Sequence, residues 1–325
     1  MSQFKVEKYQ TSNYEQWNDF IAQAKNATFL FHRDFMEYHQ DRFEDYSLMV
    51  YDSTKLVAVL PANRVADKVH SHQGLTYGGL VYQEGLKLGS VLQVFHSVLS
   101  YFNTNGIPHL LIKLIPTIYH LKPAQEIDYA LFLLEAKLVR RDTLAVLDML
   151  ESYVFSKLRK RGIQKAIKNQ LVVKEEDSFE SFWNQILIPN LENKHQVEPV
   201  HTVAEITRLK QLFPENIRQF NVYHGEEIVA GTTIFETHKT VHCQYISKLI
   251  TENNLGSLDF LYQYLISERY KNKRFFDFGI SNECQGQKLN EGLSKWKESF
   301  GASTIVHDFY EVETAKYVLL EKCIL

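Results

Sequence analysis

The sequence predicts an α/β protein of two tandem domains, each a copy of one unit, and three pairs of matching segments carry that prediction. VYDSTKLVAVLPA, from Val50, aligns without a gap with VYHGEEIVAGTTI, from Val222. GSVLQVFHSVLSYF, from Gly89, aligns with GSLDFLYQYLISERY, from Gly256. YEQWNDFI, from Tyr14, aligns more weakly with FESFWNQIL, from Phe179. The offsets are 172, 167 and about 166 residues, so order and spacing both persist.

In the first pair Val50 meets Val222, Tyr51 meets Tyr223, Leu56 meets Ile228, Val57 meets Val229 and Ala58 meets Ala230. Both segments read as strand, polar turn, strand, with Asp52-Ser53 turning the first copy and Gly225 the second. In the second pair a shared Gly-Ser start precedes apolar residues on a helical period, namely Leu258, Leu261, Tyr262, Leu265 and Ile266 in the later copy. Each helix leads to a strand-like run, HLLIKLI from His109 and RFFDFGI from Arg274. Each half therefore reads helix, β-hairpin, further strand, helix, strand. The expected domains are residues 1–150 and 151–325, the second opening on a basic connecting helix.

A length of 325 residues suffices for two cores. A net charge of −3 gives no global reason to expect DNA or a membrane as partner, so any basic surface is local. Cys243, Cys284 and Cys323 are odd in number and far apart, which fits a reducing cytosol better than a disulfide framework. The first residues hold no apolar signal core, and no apolar run is long enough to span a bilayer. His70 and His72 form an HxH with no carboxylate or cysteine beside it, which reads as loop or strand; no metal is expected.

Leu289, Leu293, Trp296 and Phe300 fall on one helical stripe that Gly301 is suited to stop. Lys297 lies at the border of that stripe, with Asn290 and Ser294 on the same edge. A lysine there buries its stem and aims its ammonium at a cleft, near a developing oxyanion or a phosphate. SKLRKRGIQKAIKN, from Ser156, holds six basic residues and no acid. Lys157, Arg161, Lys165 and Lys168 share a face, Arg159 falls nearer the apolar side, and Gly162 weakens the helix enough to allow a bend. Arg159, Arg161 and Lys165 are the phosphate-binding candidates, the two arginines foremost, because a guanidinium grips phosphate in two places. Asn253, Asn254, Gly256 and Ser257 open a helix whose free N–H groups suit an anion. Asp277 and Glu283 flank the loop ISNECQG, and either is a candidate base toward an amine.

The order of elements resembles the GNAT acyltransferase fold in tandem, and DFGISNECQGQKLNEGLSKWKESFGA resembles the ending of its Fem-like branch. The matching features are Asp277-Phe278-Gly279, Trp296-Lys297 and Phe300-Gly301-Ala302. That branch includes peptidoglycan-branch aminoacyltransferases and acetyltransferase-like relatives. The resemblance implies two GNAT-like domains, each a mixed twisted sheet flanked by helices. It implies a functional Lys297, donor phosphates at Asn254, Gly256 and Ser257, and an acceptor site using the basic segment. It also implies a cleft tyrosine able to protonate a leaving thiolate, for which Tyr245 and the glycine-flanked Tyr77 are the candidates. LITENNLGS departs from the GNAT pyrophosphate loop in keeping only Gly256, and no long coiled-coil arm is present.

The expected activity is N-acyl transfer without a covalent enzyme intermediate, from acetyl-CoA or another acyl-CoA, to an amine on a phosphate-bearing acceptor. An amino-sugar nucleotide or a cell-envelope precursor fits that acceptor. Two other readings stand beside it: a Fem-type peptidoglycan-bridge transferase with aminoacyl-tRNA as donor, and a non-catalytic binding protein in polysaccharide assembly.

Overall fold

The structure is a computed structural model that describes residues 4–250 and 255–323. They fall into two compact units, one of residues 4–142, 285–287 and 306–323, the other of residues 143–250, 255–284 and 288–305.

The first unit begins with β1 (Lys5–Lys8), α1 (Tyr14–Gln23), β2 (Leu48–Asp52) and β3 (Lys55–Leu60). It continues with β4 (Asn63–Val65), β5 (Lys68–His70), β6 (Val81–Tyr82), α2 (Leu88–Thr104), β7 (His109–Lys113) and α3 (Glu126–Leu133). β1, β2, β3 and β6 pair antiparallel in that order, while β5 runs parallel to β7. α2 buries Val91, Phe95, Val98 and Phe102 against Leu48, Val50, Ala58 and Leu60, so its 3.6-residue period meets a wholly apolar sheet face. The strand β8 (Lys137–Asp148) carries the chain from the first unit into the second.

The second unit holds α4 (Lys157–Lys168), β9 (Val172–Glu176) and a helical run through Glu180–Phe182, Trp183–Leu187 and Ile188–His195. Next come α5 (Val203–Leu212), β10 (Ile217–His224), β11 (Glu227–Glu236), β12 (Thr240–Lys248), α6 (Ser257–Tyr264), β13 (Phe275–Ile280) and α7 (Glu291–Glu298). β9 to β12 pair antiparallel in sequence order. β12 and β13 pair in parallel, and β13 meets the end of β8 antiparallel. The last strand, β14 (Ser303–Glu313), returns to the first unit, where Phe309 stands opposite Lys113 of β7. Rings dominate the second core: Tyr262, Phe276, Phe278 and Phe300 are buried together. Burying each such side chain contributes about 2–3 kcal/mol.

The internal repeat extends to the register of the sheets. In the first hairpin Tyr51 opposes Leu56, with a β-bulge between Val50 and Tyr51. In the second, Tyr223 opposes Ile228, with a bulge between Val222 and Tyr223. Ser53 and Gly225 take the same left-handed turn position, at φ 55° and 62°. The preceding strands also correspond, Lys5 opposing Tyr51 as Val172 opposes Tyr223. The strand after the hairpin is continuous in the second unit, where β12 pairs with both β11 and β13, whereas in the first unit a segment containing GLTYGGL, 74–80, separates β5 from β6.

Candidate functional site

The basic helix α4 forms as predicted, capped by the Ser156 hydroxyl, which accepts the Arg159 N–H. It runs unbroken through Gly162. What Gly162 supplies is a close crossing with α6. A Cβ at Gly162 would lie 1.7 Å from an Asp259 carboxylate oxygen, and one at Gly256 would lie 2.2 Å from the Gly162 carbonyl oxygen. Gly256 sits at φ +81° directly before α6. Two sequence motifs read separately therefore meet at one place.

That crossing lines a cavity of about 430 Å³ in the second unit. Arg161, Lys165 and Lys248 line it together with Gly256, Ser257 and Trp296. Arg159 also lines it, but its guanidinium is paired with the Asp259 carboxylate and lies over the Phe300 ring at 5.7 Å. Arg159 is thus already neutralised by a protein carboxylate, and the cationic character of the cavity rests on Arg161, Lys165 and Lys248. Asn254 lies outside the described residues.

Lys297 does not sit on a stripe edge. It is the buried residue of α7, 2 % exposed, while Leu289 and Leu293 are 55 % and 39 % exposed. Of the expected apolar stripe only Trp296 and Phe300 reach the core, because Leu289 precedes the helix in a short hairpin and Leu293 faces outward. The Lys297 ammonium donates to the Gly279 and Ile280 carbonyls at 3.0 and 2.5 Å. Burial pushes its pKa down to about 8, opposed by the negative charge of Asp277.

Asp277 is fully buried. One carboxylate oxygen accepts the Gly279 N–H at 2.7 Å, and the other lies 2.9 Å from His242 Nδ1. Both oxygens of the Asp277 carboxylate thus have protein partners. Glu283 is exposed and accepts from the Asn290 amide at 2.9 Å. Asn290 caps α7, its side-chain oxygen accepting the Leu293 N–H. The Tyr245 hydroxyl on β12 lies 2.7 Å from His201 Nδ1, and burial pushes its pKa up to about 12. Tyr77 is buried in the first unit, its hydroxyl donating to Thr28 at 3.0 Å and its ring packed on Tyr119. Gly78 there permits close backbone approach, since a Cβ would meet the Ser71 carbonyl oxygen at 1.9 Å.

Among the described residues, no cluster of three or more His, Cys, Asp or Glu could hold a metal ion, and no helix is long and apolar enough to cross a membrane. No protein-family model matches the chain, and no curated protein matches its sequence. Solved structures do. FemX superposes with a TM-score of 0.66 at 10% identity, over 97% of this chain and 100% of that one. The chain has the Fem-like tandem GNAT fold. L-PGS from Bacillus licheniformis gives 0.61 at 12% identity, over 97% and 96% of the two chains. A tandem GNAT protein from the clavulanic acid biosynthesis pathway gives 0.51 at 11%, over 96% and 98%.

Within this tandem GNAT frame, the parallel strand pair marks what the sequence reading missed. In the second copy the last parallel rung is His242 opposite Asp277; in the first it is His70 opposite Leu111. The signal was present as Val69-His70 against Val241-His242, at the same 172-residue offset as the hairpins. His201 and Lys248 were also missed. Neither lies in a motif, and each reaches its place only through folding.

Proposed function

We propose that this chain transfers an acyl or aminoacyl group from an activated donor to an amine on a phosphate-bearing acceptor, with the chemistry in the second unit. The observation that carries this reading is the cationic cavity at the start of α6, in the same unit as a buried lysine. Backbone N–H groups at a helix start and the charges of Arg161, Lys165 and Lys248 suit the phosphates of a donor such as acyl-CoA or the terminal nucleotides of aminoacyl-tRNA. The likeness to FemX and to the tandem GNAT protein supports the class of reaction, and the acceptor is an amino-sugar nucleotide or a cell-envelope precursor.

In this mechanism the acceptor amine attacks the donor carbonyl. Lys297 makes two hydrogen bonds among the described residues, which leaves one of its three N–H donors for the oxygen that becomes negative. Removing such a donor typically costs about 3–4 kcal/mol in the barrier. Tyr245, protonated up to about pH 12, gives the leaving group its proton. Orientation of the two substrates supplies much of the remaining acceleration.

Aminoacyl-tRNA is the second donor reading, favoured by the single glycine in LITENNLGS. Thermal-shift titration with acetyl-CoA, an aminoacyl-tRNA and a nucleotide-sugar tests both, followed by transfer of a radiolabelled acyl group. Stabilisation by one donor together with label on the nucleotide-sugar is the expected result. Stabilisation by the nucleotide-sugar alone, with no transfer, would leave only a binding role.

A further inference from the structure

We propose that His242 is the general base of the reaction and that Asp277 is its positioning residue; this rests on the acyl-transfer reading above. The geometry is specific to one ring nitrogen. Asp277 holds His242 through Nδ1 at 2.9 Å, and the carboxylate is itself locked by the Gly279 N–H at 2.7 Å. A carboxylate on Nδ1 fixes the proton there and leaves Nε2 as the basic nitrogen. Gly279, at φ +75°, lies beside the ring: a Cβ there would be in ordinary contact with the His242 Cε1, at 3.5 Å. The same short segment presents the Gly279 and Ile280 carbonyls to Lys297. Base, positioning carboxylate and ammonium are thus gathered on three residues of β13, Asp277, Gly279 and Ile280, and their immediate partners.

The comparison between copies points the same way. His70 takes the register position of His242 in the first unit, but Leu111 stands where Asp277 would be. The first copy keeps the histidine without a carboxylate to orient it. The His242 side chain is 12 % exposed and sits on the last rung of the parallel ladder, beyond which β12 and β13 no longer pair.

The proton balance closes without an added reactant. As the acceptor nitrogen bonds to the donor carbonyl carbon, its proton passes to Nε2 of His242. The electron pair of the breaking bond leaves on the donor's sulfur or ribose oxygen, which takes a proton from Tyr245. Water carries the imidazolium proton back to the phenolate.

Two measurements test this. The first needs no substrate: nitrogen-15 NMR of the histidine-labelled full chain should find His242 protonated on Nδ1, and Asp277→Asn should abolish that preference. Protonation on Nε2 in the wild type, or an unchanged tautomer in the variant, overturns the proposal. The second uses the donor that transfers in the assay above. His242→Gln should lower kcat by about 10²–10⁴-fold with KM little changed, His242→Ala should regain rate on addition of imidazole, and His70→Gln should match the wild type. Wild-type kcat in folded His242→Gln overturns the base while leaving acyl transfer standing. A wild-type chain that transfers from neither donor overturns acyl transfer itself, and the base with it.

Discussion

Lys297 donates to the Gly279 carbonyl at 3.0 Å, and through that bond the last helix of the second unit is tied to the end of strand β13. The ammonium is held by two carbonyl oxygens and lies near Asp277, yet burial still moves its pKa down to about 8. This lysine is buried against the preference of its charge for water.

A stability experiment follows from that shift. Between pH 8 and the unfolded lysine value of 10.5, the unfolded chain binds more protons at this position than the folded chain. Stability therefore rises with pH across that window, and the penalty is fully present below it. The shift corresponds to roughly 3 kcal/mol as an upper figure. Lys297→Met keeps the stem and removes the charge. Urea unfolding at pH 7 and pH 10 should show the wild type gaining on the variant by up to that amount. Parallel behaviour of the two proteins would mean that Lys297 titrates as an ordinary surface lysine.

The repeat was legible because hairpins and amphipathic helices write their periods into adjacent residues. Even the shared bulge sits within the Val-Tyr pairs that align. The inward turn of Lys297 was not legible. Leu289, Leu293 and Trp296 have helical spacing, but Leu289 is spent in a hairpin, and only packing decides which face of α7 is buried. The Asp277–His242 contact joins residues 35 positions apart through a parallel rung, and no local pattern marks such a pairing. The return of β14 to the first unit was hidden for the same reason.

The glycine crossing of α4 and α6 should be asymmetric in its tolerance. Gly256→Ala would place a methyl 2.2 Å from a backbone oxygen and force a side chain into φ +81°. Gly162→Ala meets an Asp259 carboxylate, which can swing at the expense of its pair with Arg159. We expect Gly256→Ala to cost about 3 kcal/mol or more and Gly162→Ala about 1–3 kcal/mol. Chemical denaturation of both variants decides it, and equal costs would mean that the crossing relaxes freely.

The cavity charges should govern anion affinity without governing the fold. Arg161 and Lys165 are exposed, so replacing both with Gln should leave the melting temperature within a degree or two. Binding of the donor should weaken about tenfold or more, and its salt dependence should flatten as fewer charges meet phosphate. Unchanged affinity and salt slope in the double variant would move the donor phosphates elsewhere.

Asp259 offers the sharpest separation of structure from binding. Its carboxylate neutralises Arg159 in a setting where the two side chains are 11 % and 13 % exposed. Asp259→Ala leaves the guanidinium poorly solvated and without its partner, which costs about 3 kcal/mol in comparable pairs. The same change frees Arg159 to face the cavity. Inorganic pyrophosphate should therefore stabilise Asp259→Ala more than it stabilises the wild type, by a margin that shrinks as salt is raised. Thermal unfolding with and without pyrophosphate reads both effects at once. If the variant is destabilised but gains nothing extra from pyrophosphate, Arg159 serves only to fasten α4 to α6, and the anion is held by Arg161, Lys165 and Lys248 alone.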